Sequence, residues 1–590
     1  MPALIEDYAL VADGETAALI GRDGSVDWLC WPRFDSDACF AALLGRPEHG
    51  RWQIAPTDPA ARSTRRYQPD TMVLETDFAT AGGAVRVIDF MPLRDGGPAL
   101  VRIVAGLDGS VAMRLDLRLR FDYGRIRPWT EACEGGFVAR CGPDQTILRG
   151  PAAMTLHDGN ITGTFRVSAG QRLAFVLSHA ASYHALPAHM DAEAALAATE
   201  AYWRNWIGRF DRPTRWPEAT RRSLLTLKAL INRPSGGLIA SVTTSLPERP
   251  GGRLNWDYRY CWLRDTSFAV TALLNAGYHD EARRWRDWLL RAIGAAPRHM
   301  QIMYRIDGGR HLHEWEADWL PGFRWARPVH IGNAAATQRQ IDVFGEVLES
   351  LALAHQAGVT LSPQGFALAS EIAGELERIW REPDQGLWES RGEPQHYTYS
   401  KVMAWVGVDR FVRMAEANGH HADGDLAFLR TLRTAIHDEI CREAFHPGRG
   451  TFVRTFGGEE VDASLLLLPL VGFLPIDDAR IGATIAAIER ELMEDGLVRR
   501  HQTHHPDPQG AFLACSFWLA DCRNMQGRHD AARAAFERAL DVRNDVGLLA
   551  EEYDIRGRHL SGNFPLALSH VALITSALGL SGPVLQKGGG

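Results

Sequence analysis

From Pro217 onward the sequence carries helical periodicity almost without a break, and this limits the fold more than any other feature. Apolar residues recur at three- and four-residue spacing, the mark of helices with one buried stripe. Twelve such segments follow one another: 217–232, 265–276, 279–296, 334–356, 366–382, 398–416, 425–440, 461–472, 479–492, 511–526, 529–541 and 565–579. No short sequence repeat runs through them, which argues against a solenoid. Six helical hairpins closed into an (α/α)6 barrel would bury every stripe. The connections alternate in length. Those from even to odd segments are mostly short. Those from odd to even segments are longer and hold clusters of Trp, His, Arg and Glu. In an up-and-down barrel all the long connections leave from one end. Long loops within a compact domain usually carry function, so one rim is expected to hold the chemistry.

The first third of the chain has another period. Val111, Met113, Leu115, Leu117, Leu119 and Phe121 alternate with Arg114, Asp116, Arg118, Arg120 and Asp122, as in a half-buried strand. Short apolar runs at 72–78, 84–90, 100–105 and 173–178 are separated by turn signals at Asp23-Gly24, Gly82-Gly83, Asp108-Gly109 and Asp158-Gly159. This predicts a β-sandwich over 1–190. The alanine-rich stretch after it predicts a linker helix within 191–216, leaving 217–590 for the barrel.

Several function classes lose their support. The net charge of −8 does not fit a general nucleic-acid binder. The most apolar run, 465–476, contains Pro469 and Pro475 and does not read as a membrane span. The opening MPALIEDYAL lacks the basic and apolar regions of a signal peptide. The eight cysteines are scattered without a C-x-x-C pair, as expected of free thiols in a reducing compartment. A soluble, cytoplasmic protein is expected, with Lys587–Gly590 as a frayed tail. Only three lysines, Lys228, Lys401 and Lys587, are present for Schiff-base chemistry. No P-loop, dinucleotide fingerprint or nucleophile elbow is found, and no cofactor is expected.

The long connections supply the candidates. The first contains Asn255-Trp256-Asp257-Tyr258-Arg259-Tyr260-Cys261-Trp262-Leu263-Arg264-Asp265. Aromatic faces pack on sugar C–H patches, while Arg and carboxylates bind hydroxyls with fixed direction. Asp265 reads equally as a helix cap. The second contains His311, His313, Glu314 and Glu316, then Trp325, Arg327, His330 and Asn333; the zincin spacing is absent and no metal site is expected. The third places Glu389 beside Trp388, where an apolar ring would raise a carboxyl pKa, although a surface glutamate has the same sequence signature. The fifth holds Arg499, Arg500, His501, His504 and His505, and the sixth Glu551 and Glu552. Glu389 and Glu551 lie 162 residues apart, yet parity puts them on one rim. Paired carboxylates suit glycosidic cleavage, one as acid and one as base or nucleophile.

On these motifs the chain resembles glycoside hydrolase family 15, the glucoamylase and trehalase family, over essentially its full length. The opening, Ile5-Glu6-Asp7-Tyr8 through Asp23-Gly24-Ser25-Val26-Asp27-Trp28-Leu29-Cys30 to Arg33-Phe34-Asp35-Ser36, resembles the trehalase-like N-terminal domain of bacterial members. The 255–265 segment, Arg327-Pro328 to Gly332-Asn333-Ala334-Ala335, Leu387-Trp388-Glu389 and Ala550-Glu551-Glu552-Tyr553-Asp554 resemble family motifs in order. The resemblance implies inverting, exo-acting hydrolysis of an α-glucosidic bond with release of β-glucose. It implies Glu389 as general acid and Glu551 as general base. It also implies Trp262, Arg264, Asp265, Trp325, Arg327, Trp388, Arg500 and Glu552 as substrate-holding residues. Two features depart from the family: His330 replaces a common Arg, and 506–510 lacks a common glutamate. Trehalose is the leading expected substrate, with short α-glucans or isomalto- and kojibiose-type disaccharides next. A glycoside phosphorylase and a non-catalytic sugar-binding protein are the remote alternatives. The expected partner is a small α-glucoside, without nucleic acid or membrane, and with self-association left open.

Overall fold

The computed structural model describes residues 2–94, 96–294, 297–417, 424–502 and 509–582. His504, His505, the stretch 506–508 and the tail 587–590 lie outside the described residues. Up to Ala181 the chain forms strands, fifteen of which join in one network. Its spine is Ala99–Arg118. One half of this strand pairs with Gly83–Phe90 and Arg172–Ala181, the other with Arg51–Pro56 and Asn160–Ser168. The sequence predicts two strands here with a turn at Asp108-Gly109, whereas the strand runs through. The glycines serve close approach instead of chain reversal. A Cβ at Gly106 would lie 2.0 Å from the Ser168 carbonyl oxygen, and one at Gly109 would lie 2.2 Å from that of Gly82. Arg102 ties the two halves together. It is fully buried, pairs with Asp89 at 2.7 Å, and donates to the carbonyls of Trp52 and Gly24, both at 2.8 Å.

The alternation expected to continue through Asp122 stops at Arg118. Phe121–Gly124 is a tight turn in which Asp122 and Tyr123 adopt left-handed φ values of 51° and 52°. That turn sends Tyr123 out of the sheet and toward the helical part of the chain.

The linker helix, Ala192–Ile207, starts where Asp191 accepts from the amides of Glu193 and Ala194. The helices that follow are Pro217–Leu230, Leu263–Asn275, His279–Ile293, Asp342–Gln356, Pro363–Ile379, Thr398–Ala417, Gly424–Glu443, Leu467–Leu470, Ala479–Glu491, Leu513–Met525, His529–Leu540 and Ala567–Gly579. Each expected segment overlaps one of them, so a sheet domain precedes a helical domain. Three boundaries differ from the periodicity. The 334–356 segment is a 3-10 turn, Ala334–Thr337, then a break, because the Ile341 amide bonds to Asp384 and the Arg339 carbonyl accepts from Gln385. The 461–472 segment is a 3-10 turn followed by only Leu467–Leu470. The 511–526 segment begins as a strand, Ala511–Phe512, paired with Glu552–Asp554.

The helices meet in sequence. Leu263–Asn275 touches Asp342–Gln356, which touches Thr398–Ala417. Leu467–Leu470 then bridges to Leu513–Met525, and Ala567–Gly579 returns to Leu263–Asn275. One apolar core runs from Ile5, in a 3-10 turn ahead of the first strand, to Leu578 in the last helix. No helix among the described residues is long and apolar enough to cross a membrane.

Candidate active site

The long loops do converge. A cavity of about 220 Å³ is lined by residues of the first, third, fifth and sixth long connections and by the start of Leu263–Asn275. Arg264 and Asp265 stand in the first turn of that helix, where the exposed N–H groups favour a carboxylate. Arg264 pairs with Asp265 at 2.9 Å and donates to the Leu387 carbonyl at 2.8 Å.

Glu389 sits on the cavity wall in a left-handed turn, φ 57°. Its Oε1 accepts from Trp262 Nε1 at 2.7 Å and from Arg264 Nη1 at 3.2 Å. Burial pushes its carboxyl up from the ordinary value, and these two donors pull against that. Trp388, beside it, is held by Asp462, which accepts from its Nε1 at 2.9 Å.

Glu551 is buried behind the same wall. Its Oε1 accepts from the Tyr258 hydroxyl at 2.8 Å, and its Oε2 from the Asn563 amide at 3.1 Å. The strand pairing of 511–512 with 552–554 sets its place. Burial, then the charge of Glu248, pushes its carboxyl up to about 7; Arg500, the Asn563 amide and Tyr258 oppose this. Arg500 pairs with Glu248 and, at 2.7 Å, with Glu552. Burial also raises Glu552, against the pull of Arg500. Glu248 and Glu552 thus pair with one guanidinium, whose charge also opposes the rise of the buried Glu551.

The two carboxyls meet through one short piece of chain. Tyr258, bonded to Glu551, and Trp262, bonded to Glu389, lie in the same run and their rings contact edge-on, centroids 5.2 Å apart. Between them Arg259 anchors the run to the sheet domain. It pairs with Asp257 at 2.7 Å and donates to the Ser36 carbonyl at 2.7 Å and to the Tyr123 hydroxyl at 2.9 Å. Both members of that ion pair are fully buried.

Of the residues expected to hold substrate, Arg264, Asp265, Trp388 and Arg500 line the cavity. Trp262 and Glu552 reach it through Glu389 and Arg500. Trp325 and Arg327 do not line it. Arg324 and Trp325 form a left-handed turn, φ 49° and 73°, that leaves Trp325 56% exposed beneath Arg46 of the sheet domain, at 5.0 Å. Arg327 is exposed. His330 is buried and stacks on Trp256, which lines the cavity. His501 lines it too, with its pKa lowered by burial and by Arg454. Sequence reasoning missed the roles of Tyr258 and Trp256, although both stand in the aromatic run. It missed Glu248 and Arg391 entirely. Glu248 lies 252 residues from its partner Arg500, and no local pattern marks it. No group among the described residues has the histidines, cysteines and carboxylates to hold a metal ion.

A sheet domain, a helical domain and a cavity with Glu389 on its wall and the buried Glu551 bonded to the lining residue Tyr258 suit a glycoside hydrolase, and the family comparison identifies one. The chain belongs to glycosyl hydrolases family 15, whose model matches residues 217–578. Residues 1–202 match the trehalase-like N-terminal domain. The chain is 38% identical to the trehalase of Mycobacterium tuberculosis, over 97% of this chain and 89% of that one. It is 30% identical to the trehalase of Thermoplasma volcanium, over 99% and 94% respectively. Its fold is similar to the crystal structure of a bacterial glucoamylase complexed with acarbose, with a TM-score of 0.74 and 13% identity, covering 99% of this chain and 95% of that one.

Proposed function

We propose that this chain hydrolyses trehalose by inversion. The observation that carries the reading is the joint tethering of Glu389 and Glu551 to one cavity by Trp262 and Tyr258. Trehalase relatives matched over nearly the whole chain support the substrate. Glu389, raised by burial, gives its proton to the glycosidic oxygen as the C–O bond breaks. Glu551 takes a proton from water as the water oxygen bonds to the anomeric carbon from the other face. Arg264, Asp265 and Arg500 hold hydroxyls of the attacked ring. The carboxyls of an inverting pair stand about 6.5–9.5 Å apart, room for that water.

The helical domain is read as a closed (α/α)6 barrel, supported by the circuit of helix contacts that returns to Leu263–Asn275. We divide the chain into a sheet domain, 1–190, a linker, 191–216, and a catalytic domain, 217–590. The eight free cysteines support a cytoplasmic location.

Anomer-resolved NMR of fresh reaction mixtures tests the reading. Inversion at one ring of trehalose yields one β-glucose and one α-glucose, so the earliest spectra should show equal amounts. Glu389→Gln and Glu551→Gln should each abolish both signals. Early α-glucose alone refutes inversion. Turnover of maltose or isomaltose in place of trehalose refutes the substrate.

A further inference from the structure

A glycosidic bond has two sides, and the residues above hold only the attacked ring. The departing sugar must pass Glu389, since that carboxyl protonates its oxygen. Arg391 stands there. The left-handed turn at Glu389, closed by bonds from the Glu389 amide to Gly386 and the Ser390 amide to Gln385, brings residues 389 and 391 to the same cavity. The Arg391 guanidinium lies 4.3 Å over the Trp256 ring, and that ring stacks on His330 with centroids 5.1 Å apart and planes 6° apart. Nη2 donates to Glu314 at 3.1 Å and to Asn333 at 3.4 Å. Nε and Nη1 meet no acceptor among the described residues, and the side chain keeps 37% of its surface exposed. The group is therefore fixed along one edge and one face, with donors left over beside the acid. Its Nε–H and Nη1–H groups lie on different edges of the rigid guanidinium plane, so each donates to a separate hydroxyl oxygen with fixed direction, which a freely rotating lysine ammonium does not.

We infer that Arg391 is the specificity-determining residue for the leaving group, and that its unused donors bind the hydroxyls of a departing second hexose. The inference rests on the α-glucoside hydrolase reading. On this reading the cavity favours a disaccharide over an α-glucoside of an apolar alcohol. His330 serves it by holding Trp256 flat beneath the guanidinium.

The test compares trehalose with α-glucosyl fluoride, whose leaving group has no hydroxyl. Wild type, Arg391→Met and Arg391→Lys are assayed for kcat/KM on both. Loss of one or two charge-assisted hydrogen bonds should lower kcat/KM for trehalose about 100-fold in Arg391→Met. For the fluoride the change should stay within about threefold, because the attacked ring and the carboxyl pair are untouched. Arg391→Lys should recover little. Equal losses on both substrates would overturn the inference and place Arg391 in the support of Glu389. An unchanged trehalose rate would also overturn it. Wild type that cleaves the fluoride but not trehalose would refute the substrate reading instead, and the same ratio would then be read on the disaccharide it does cleave.

Discussion

Replacing Tyr258 by Phe removes one oxygen and one hydrogen bond, yet it should reshape the pH dependence of the enzyme. The hydroxyl donates to Glu551 Oε1 at 2.8 Å and favours the ionised carboxylate. A hydrogen bond to a charged group is worth about 1.5–3 kcal/mol. One pKa unit corresponds to about 1.4 kcal/mol, so the loss amounts to roughly one to two units. Glu551, at about 7 in the native protein, should rise by that amount in Tyr258→Phe. The sign follows directly: a base with a higher pKa holds its proton to higher pH. At pH 6 the population with Glu551 ionised and Glu389 protonated should fall about 10- to 100-fold, and kcat/KM with it. Above the raised pKa the two enzymes should converge, whichever carboxyl titrates first, because Glu551 is then ionised in both. The assay is kcat/KM for trehalose from pH 4 to pH 10 by coupled glucose detection, with the fold checked by circular dichroism. The ring keeps its packing against Trp262, so the fold should be unchanged. A loss of equal size at every pH would refute the reasoning, since it would assign Tyr258 to positioning alone. No loss at pH 6 would refute it as well.

Two further outcomes concern the junction of the domains. Arg259→Met leaves Asp257 buried without its guanidinium, which should cost about 3–5 kcal/mol and lower the urea midpoint. The double variant Asp257→Asn/Arg259→Met should recover at least half of that loss, and an unchanged midpoint in the single variant would contradict the role given to the pair. Removal of residues 1–190 strips Arg259 of Ser36 and Tyr123 and removes Trp28, whose Nε1 donates to the Val242 carbonyl at 2.7 Å. The shortened chain should be insoluble; a soluble, fully active 191–590 would contradict this.

How much was legible beforehand depended on distance along the chain. The helices after Pro217 were readable because each buries a stripe set by residues three and four apart. Strand Ala99–Arg118 was half readable: its alternation was evident, but Gly109 reads as a turn until Gly82 is known to lie against it. Loop parity was enough to expect Glu389 and Glu551 at one rim, where the structure links them through Trp262 and Tyr258. The place of Trp325 was not legible: it stands in a left-handed turn beneath Arg46, nearly 280 residues earlier in the chain.

The amino-acid sequence by itself determined the order of the two domains, the alternation of short and long connections, and the residues at whose positions the family motifs fall. Each of these follows from side chains within a few residues of one another, where spacing alone decides which face is buried. Only the tertiary structure decided which groups set the charge of the site. Glu248 reaches Arg500 across 252 residues, Tyr258 reaches Glu551 across 293, and Arg259 reaches Tyr123 across 136. Interactions of that span depend on how whole elements pack, and the Glu551 carboxyl is raised because packing buries it and brings Glu248 close, while Arg500 pairs with Glu248 and Glu552.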